Sequence, residues 1–225
     1  MYQGGFFVLW DKIGSHDGSP PHMDRMLDAV REVWEGQPDL DFAALMGMLN
    51  AHGLTWGISD SDALDICMMI STTYPGALSK VAGQHSVLLA NGTTAVLTSE
   101  QVVLLRGWQQ PIWWNYESLV QAQVGLPLVL KDREGIEHRL DMIHRIEKTM
   151  VVEGMDTRVI ELADASVILQ RGHHARHFVR RRRDLVTKDY QVPRAWVPEE
   201  GKPARLLARE QNIVELPAIA TIILG

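Results

Sequence analysis

Apolar positions in the first third of the chain recur at the spacing of helix faces. Met26, Val30 and Val33 lie three or four residues apart, as do apolar positions in two further runs before residue 74. Gly36 and Pro38 end the first run, since neither residue favours the interior of a helix. The pattern predicts three short helices over residues 20–73.

Polar residues mark where the second and third helices begin. Asp41 precedes one run and either Ser59 or Ser61 precedes the other, and these residue types accept hydrogen bonds from free backbone N–H groups at a helix start. Gly53 suits the position after the second helix, because glycine readily adopts the left-handed conformation. The third helix is expected to end near residues 74–76.

Beyond residue 85 the pattern changes to short apolar runs separated by turn residues. Asn91-Gly92 between two such runs predicts a hairpin with a two-residue turn. Thr98 and Gln101 resemble a capping box, which predicts a short helix over 99–108, and a second helix is expected over 116–124.

The remaining runs predict an antiparallel strand meander. Residues 136–146 fit both a strand and a helix, and the neighbouring runs favour a strand. We expect less regular structure in 171–205, because three prolines interrupt it. The other predicted strands are 6–10, 126–131, 149–152, 158–162, 166–170 and 216–224.

These elements predict an α+β protein of two parts. A small N-terminal three-helix module would occupy residues 1–80, and a mainly antiparallel strand-rich region with short helices would occupy 81–225. The charges also differ between the two parts. Residues 1–80 carry 4 basic and 11 acidic residues, whereas the rest of the chain carries 18 basic and 17 acidic residues. This asymmetry indicates two surfaces of different character.

Composition narrows the cellular setting. A single cysteine, Cys67, rules out an intramolecular disulfide, and its apolar neighbours predict a buried thiol. No apolar run has the length of a membrane helix, and the first ten residues lack the basic leader of a signal peptide. We therefore expect a cytoplasmic protein with no membrane partner.

The segment 171–183 carries the most distinctive chemistry, with six arginines among thirteen residues. Guanidinium groups match phosphates in pairs of hydrogen bonds, and clustered cations gain affinity for nucleic acid by releasing counterions. The segment therefore predicts contact with nucleic acid, another polyanion or an acidic protein surface. The alternative is internal pairing with the protein's own carboxylates. The candidate residues are Arg171, Arg176, Arg180, Arg181, Arg182 and Arg183.

Histidines offer the only other candidate chemistry. His173, His174 and His177 are spaced closely enough to be considered as metal ligands, but no cysteine or carboxylate completes a known spacing, so neither metal nor cofactor is expected. His138 and His144, near Asp141, form a second group. On a strand both histidines would share one face and the carboxylate the other.

Aromatic residues near the basic segment extend the hypothesis. Phe178, Tyr190 and Trp196 would stack on unpaired bases if they were exposed. Trp108, Trp113 and Trp114 fit either a core or a binding hot spot, and the core is favoured.

No phosphate-binding glycine loop, dinucleotide fingerprint, zinc-protease motif or serine-hydrolase motif is present. The leading interpretation is a non-catalytic intracellular binding or regulatory protein, and an enzyme is less favoured. The alternatives are a metal- or histidine-dependent hydrolase or nuclease, and a structural or assembly subunit. The sequence leaves oligomer formation open.

Overall fold

The computed structural model describes residues 21–149, 157–193, 196–208 and 212–224. The predicted strand at 6–10 and most of that at 149–152 lie outside these ranges. The chain divides between Gly76 and Ala77 into two compact units. Described helices and antiparallel strands together confirm the α+β class.

The first unit contains helices α1 (Pro21–Glu35), α2 (Phe42–Ala51) and α3 (Asp60–Thr73). The Asp41 carboxylate accepts a hydrogen bond from the backbone N–H of Ala44 at 2.7 Å. The Ser59 hydroxyl accepts one from Asp62 at 3.2 Å. Asp41 and Ser59 therefore cap α2 and α3, as the sequence predicted.

The helices enclose a small apolar core that includes Val33, Leu45, Leu49, Cys67 and Ile70. Burial raises the pKa of the Cys67 thiol, which keeps it protonated.

Gly36 allows α1 to approach the end of α3. A Cβ atom at this position would lie 1.9 Å from the carbonyl oxygen of Tyr74, far inside van der Waals contact. The glycine that ends α1 is therefore also required by packing.

The described part of the second unit is built mainly of strands. They are β1 (His85–Leu89), β2 (Thr94–Leu97), β3 (Gln101–Leu105), β4 (Ile112–Asn115), β5 (Ser118–Gln121), β6 (Pro127–Lys131), β7 (Glu137–Lys148), β8 (Thr157–Leu162), β9 (Val167–Arg171), β10 (His174–Arg180), β11 (Leu185–Gln191), β12 (Pro203–Leu207) and β13 (Ile213–Leu224). Strands β10 to β12 correct the expectation of little regular structure over 171–205, because the prolines Pro193, Pro198 and Pro203 fall between the strands or at the first residue of one.

The first seven strands form one antiparallel sheet in the order β4-β3-β2-β1-β7-β6-β5. The predicted hairpin at Asn91-Gly92 joins β1 to β2, but its loop has three residues instead of two, because Leu89 and Thr93 still pair through their backbones. Gly92 takes the positive φ angle of 77° that such a turn requires.

The two helices predicted over 99–108 and 116–124 are wrong. The first segment contains β3 and the second contains β5. The hydrogen bond from Gln101 N–H to the Thr98 hydroxyl does form, at 3.1 Å, but it precedes a strand. Residues 102–105 pair with β2 and β4 and are buried on both faces, so sheet pairing overrides the local capping signal.

Strand β7 explains why residues 136–146 also resembled a helix. Arg145 lies opposite Leu88, whereas Ile143 lies opposite Leu89, so His144 is an extra residue in the ladder. In the pairing of β7 with β6, a second register shift lies between residues 139 and 142. These are β-bulges, each adding one residue to one strand.

The bulges change the spacing of the core residues in β7. Leu140, Ile143 and Ile146 all pack into the same apolar cluster although they are three residues apart. A regular strand would place residues three apart on opposite faces.

The last six strands form a sheet that closes on itself in the order β10-β11-β12-β13-β8-β9. Its interior is lined by residues such as Ile160, Ile168 and Leu206. Its outer face over β8, β9 and β10 packs on the seven-stranded sheet through a cluster that contains Val103, Val159 and Phe178. Among the described residues, no helix is long and apolar enough to cross a membrane.

Candidate functional site

The hairpin of β10 and β11 carries most of the basic segment, with its turn at residues 181–184. Arg180 pairs with Leu185 across the ladder, and the backbone N–H of Arg181 donates to the carbonyl of Asp184 at 2.8 Å. The side chains of Arg180, Arg181, Arg182 and Arg183 are all exposed. We call these four residues the arginine tip.

A shallow, open cleft of about 350 Å³ lies at the arginine tip. Gln110, from the loop between β3 and β4, forms part of its lining together with Asp184 and Leu185. Within the described residues of this unit, the four guanidinium groups make no salt bridge or side-chain hydrogen bond. Four cations in one turn, with one adjacent carboxylate, concentrate positive potential at the cleft.

Arg176 occupies a different environment. Its Nε and Nη2 atoms donate to the two carboxylate oxygens of Asp189 at 2.6 and 3.0 Å, and Nη1 donates to the carbonyl of Trp108 at 3.3 Å. The hydrogen bond with Asp189 raises the pKa of Arg176. Three donors of this guanidinium are therefore already used within the protein.

Trp108 joins Arg176 to Arg171. The guanidinium carbons lie 5.5 Å (Arg171) and 5.6 Å (Arg176) from the centroid of the Trp108 ring, within the range of cation–π attraction. The structure therefore separates the six candidate arginines into the arginine tip and a pair that packs on Trp108.

The three candidate metal ligands are not brought together. His177 is 4% exposed and points into the closed sheet, whereas His173 and His174 are exposed at the turn between β9 and β10. Across the described ranges, no group of three or more histidine, cysteine or carboxylate side chains is arranged to hold a metal ion.

His177 belongs to a chain of hydrogen bonds that runs from its buried ring through buried Ser166 to exposed Asp164. The Ser166 hydroxyl donates to Asp164 Oδ1 at 2.5 Å, and His177 Nε2 lies 2.7 Å from the same hydroxyl oxygen. Burial raises the pKa of Asp164, but hydrogen bonds from Ser166 outweigh that effect and hold the pKa below its usual value. An ionised carboxylate only accepts, so the serine proton points to Asp164 and Nε2–H of His177 donates.

This order differs from that of a catalytic serine. An activated serine donates its proton to the histidine, and a third group then orients that histidine. Here the carboxylate takes the hydrogen bond from Ser166, and His177 is itself a donor. Burial also lowers the pKa of His177, although the Asp164 charge opposes this. The arrangement satisfies buried polar groups and does not activate a nucleophile.

The second histidine group is also divided. His138 Nε2 lies 2.8 Å from Asp132 Oδ2, and its ring contacts Trp114 with centroids 5.2 Å apart. The hydrogen bond with His138 lowers the pKa of Asp132. His144 is exposed at the β7 bulge, and Asp141 accepts from the backbone N–H of Met142.

The aromatic residues belong mainly to the interior. Phe178 and Tyr190 are 2% and 9% exposed, so the hypothesis that they stack on bases is wrong for both. Trp196 is partly buried against the interior of the closed sheet. Trp108, Trp113 and Trp114 are half-buried and pack against the apolar clusters, as the core interpretation predicted.

Sequence reasoning missed Asp189 and Gln110. Asp189 lies opposite Arg176 in the ladder of β10 and β11, a pairing that appears only once the hairpin register is known. Gln110 lies about 70 residues away in sequence and carries no distinguishing pattern. No known protein family, curated protein or solved structure matches the chain.

Proposed function

We propose that this is a non-catalytic intracellular binding or regulatory protein whose arginine tip holds the phosphate groups of a nucleic acid or a similar polyanion. The observation that supports the proposal is the exposure of four consecutive arginines at one hairpin turn, without ion pairs in the described residues of their unit. Phosphates would supply the acceptors that these guanidinium groups lack.

The chemistry of the cleft favours contact with phosphates over recognition of bases. Apart from Leu185, the cleft lining is polar or charged, and the nearby rings of Phe178 and Tyr190 are buried. Base stacking on exposed aromatic rings, the usual means of holding single strands, has no support there. Contacts to phosphate carry no sequence information. We therefore expect binding with little sequence preference.

Arg171 and Arg176 have a supporting part in this proposal. Arg176 contacts Trp108 and Asp189 and so anchors β10 four residues before the arginine tip, whereas Arg171 contacts Trp108 from the end of the neighbouring strand β9. We expect them to hold the hairpin in place and not to contact phosphate.

The test is a salt series of binding to duplex DNA. Each phosphate neutralised contributes about 0.9 to the slope of log K against log salt, so four contacts predict a slope of about −3.6. Substituting all four arginines of the tip by alanine should remove most of that slope. A flat salt response, or a slope unchanged in the variant, would contradict the proposal.

A charge-matched control uses four exposed cations elsewhere in the same unit. Alanine substitutions at these positions change net charge equally but leave the arginine tip intact, so we expect the slope to change little. The control positions are Lys80, Arg133, Arg139 and Arg145.

In addition, Asp184→Asn removes the carboxylate from the cleft and should tighten binding by roughly two- to fivefold.

The two alternative functions have less support. A histidine-dependent hydrolase or nuclease needs histidines that converge with carboxylates, and the candidate histidines of the described chain are divided between the closed-sheet interior, the β9–β10 turn and β7. An assembly subunit would be favoured by exposed tryptophans at residues 108–114, but Trp108, Trp113 and Trp114 are half-buried in the protein's own clusters.

A further inference from the structure

Helix α1 has a wide apolar face, and only part of that face packs into the core of the first unit. At 100° per residue, the apolar positions from Met23 to Trp34 cover an arc of about 160°. The part of the arc at Ala29, Val30 and Val33 packs into the core of the first unit. The neighbouring part of the arc is left at the surface.

Three residues of α1 lie in this uncovered part of the arc, and Phe42 of α2 continues it. Met23 is 48% exposed, Leu27 58%, Trp34 39% and Phe42 59%. The Trp34 and Phe42 rings are in contact, with centroids 5.8 Å apart, and Trp34 Nε1 donates to the carbonyl of Leu40 at 2.8 Å. We call Met23, Leu27, Trp34 and Phe42 the apolar strip.

The charges beside the apolar strip are mainly negative. On α1, Arg31 lies next to the strip, and Asp24, Glu35 and Asp28 follow it around the helix, so that the border carries three carboxylates and one guanidinium, which binds Asp28 at 3.0 Å. Asp41 precedes Phe42 at the start of α2. An apolar surface bordered by carboxylates is complementary to a ligand with an apolar face and basic flanks.

We infer that the apolar strip is a docking surface for a basic amphipathic helix of a partner protein. From Met23 to Trp34 the strip runs about 17 Å along α1, which matches three turns of a second helix. A partner with apolar anchors at positions i, i+4 and i+7 would cover it. Lysine or arginine beside those anchors would meet the flanking carboxylates.

The same charges argue against other occupants. Nucleic acid would be repelled by Asp24, Asp28 and Glu35. A second copy of this chain would bring the same acidic border against itself, and like charges facing each other cost binding energy. The strip therefore differs in partner from the arginine tip, and neither proposal depends on the other.

The test measures binding of the full chain to a fluorescently labelled synthetic peptide of about 18 residues, with leucine anchors at helical spacing and lysine at the other positions. Anisotropy should show binding that weakens as salt rises. A matched peptide with glutamine in place of lysine, which offers no anionic group to the arginine tip, should bind at least tenfold more weakly. Equal binding of the two peptides would overturn the inference.

Two protein variants locate the binding surface. Leu27→Ser with Phe42→Ser should weaken binding of the lysine peptide about tenfold or more, since each truncation removes an exposed anchor. The control, Ile136→Ser with Ile213→Ser, alters equally exposed residues of the second unit and should leave binding unchanged. Equal effects of both variants would overturn the inference.

A charge variant keeps the test decisive if the double serine variant fails to fold. Asp24→Asn, Asp28→Asn and Glu35→Gln leave the apolar strip intact and should weaken lysine-peptide binding and reduce its salt dependence. Unchanged binding would count against the inference. The inference would also be overturned if the full chain bound no peptide but self-associated, and if substitutions in the apolar strip abolished that self-association. A second copy of the chain would then be the occupant.

Discussion

At the scale of single residues, the direction of each side chain decides which residues of the basic segment are exposed and which are buried or paired. Neighbours on β10 point to opposite faces, so Arg176 packs on Trp108 outside the closed sheet, and His177 bonds Ser166 inside it. The sequence identified a run of nine arginines and histidines. Burial accounts for His177 and contacts with Trp108 account for Arg171 and Arg176, whereas the arginine tip is exposed, as are His173 and His174.

The turn between β8 and β9 contains a strained residue. Ala165 has a φ angle of 60°, which a side chain with a Cβ atom disfavours by roughly 1–2 kcal/mol. We predict that Ala165→Gly increases the free energy of unfolding by up to about 1 kcal/mol, because the relief exceeds the entropy that glycine adds to the unfolded chain.

The control for this prediction is Ala163→Gly. Ala163 lies in the same turn without a positive φ angle, so the added glycine entropy should lower stability by about 0.5–1 kcal/mol. Urea unfolding of both variants measures the difference. Equal destabilisation by both substitutions would show that the φ angle of Ala165 carries no strain.

At the scale of elements, pairing partners decide which local signals succeed. The caps at Asp41 and Ser59 are followed by helices whose apolar faces meet one another, so their signals agree with the packing. The signal at Thr98 is followed by β3, whose two faces are both buried in the sheets. A cap contributes about 1 kcal/mol, which the burial of several apolar side chains exceeds.

Two glycines in the first unit give a matched test of helix packing. Gly36→Ala forces a Cβ atom against the Tyr74 carbonyl and should lower stability by about 2 kcal/mol or more. Gly47 lies inside α2, where an added Cβ would meet no atom within 4 Å, so Gly47→Ala should raise stability by about 0.5–1 kcal/mol.

Thermal unfolding followed by far-ultraviolet circular dichroism measures both glycine variants. Opposite shifts in the melting temperature are expected. If Gly36→Ala were as well tolerated as Gly47→Ala, the close approach of α1 to the end of α3 would be incorrect.

At the scale of the whole molecule, buried histidines link stability to pH. Burial lowers the pKa of His85 in the seven-stranded sheet, and nearby Lys148 lowers it further. His177 in the closed sheet has a lowered pKa for the same primary reason. In the unfolded chain both groups take up protons near pH 6.5, whereas the folded protein resists protonation until lower pH.

We therefore predict that the free energy of unfolding falls as pH is lowered from about 6.5 to 5, since the unfolded state then binds more protons. Urea unfolding at intervals between pH 5 and 8 measures this slope. His177→Gln removes one of these two titrating groups and should flatten the slope. A slope unaffected by His177→Gln would contradict the prediction.

The sequence by itself determined the features that depend on near neighbours along the chain: the helix faces and caps, the Asn91-Gly92 turn, the α+β class and the charge of each segment. Tertiary structure decided what depends on distant partners. It decided that residues 101–105 form a strand, where the bulges of β7 lie, and that Arg176 contacts Asp189 and Trp108. Each of these features depends on which strands pair and in what register. The physical reason is that burial and pairing energies from remote residues exceed local conformational preferences.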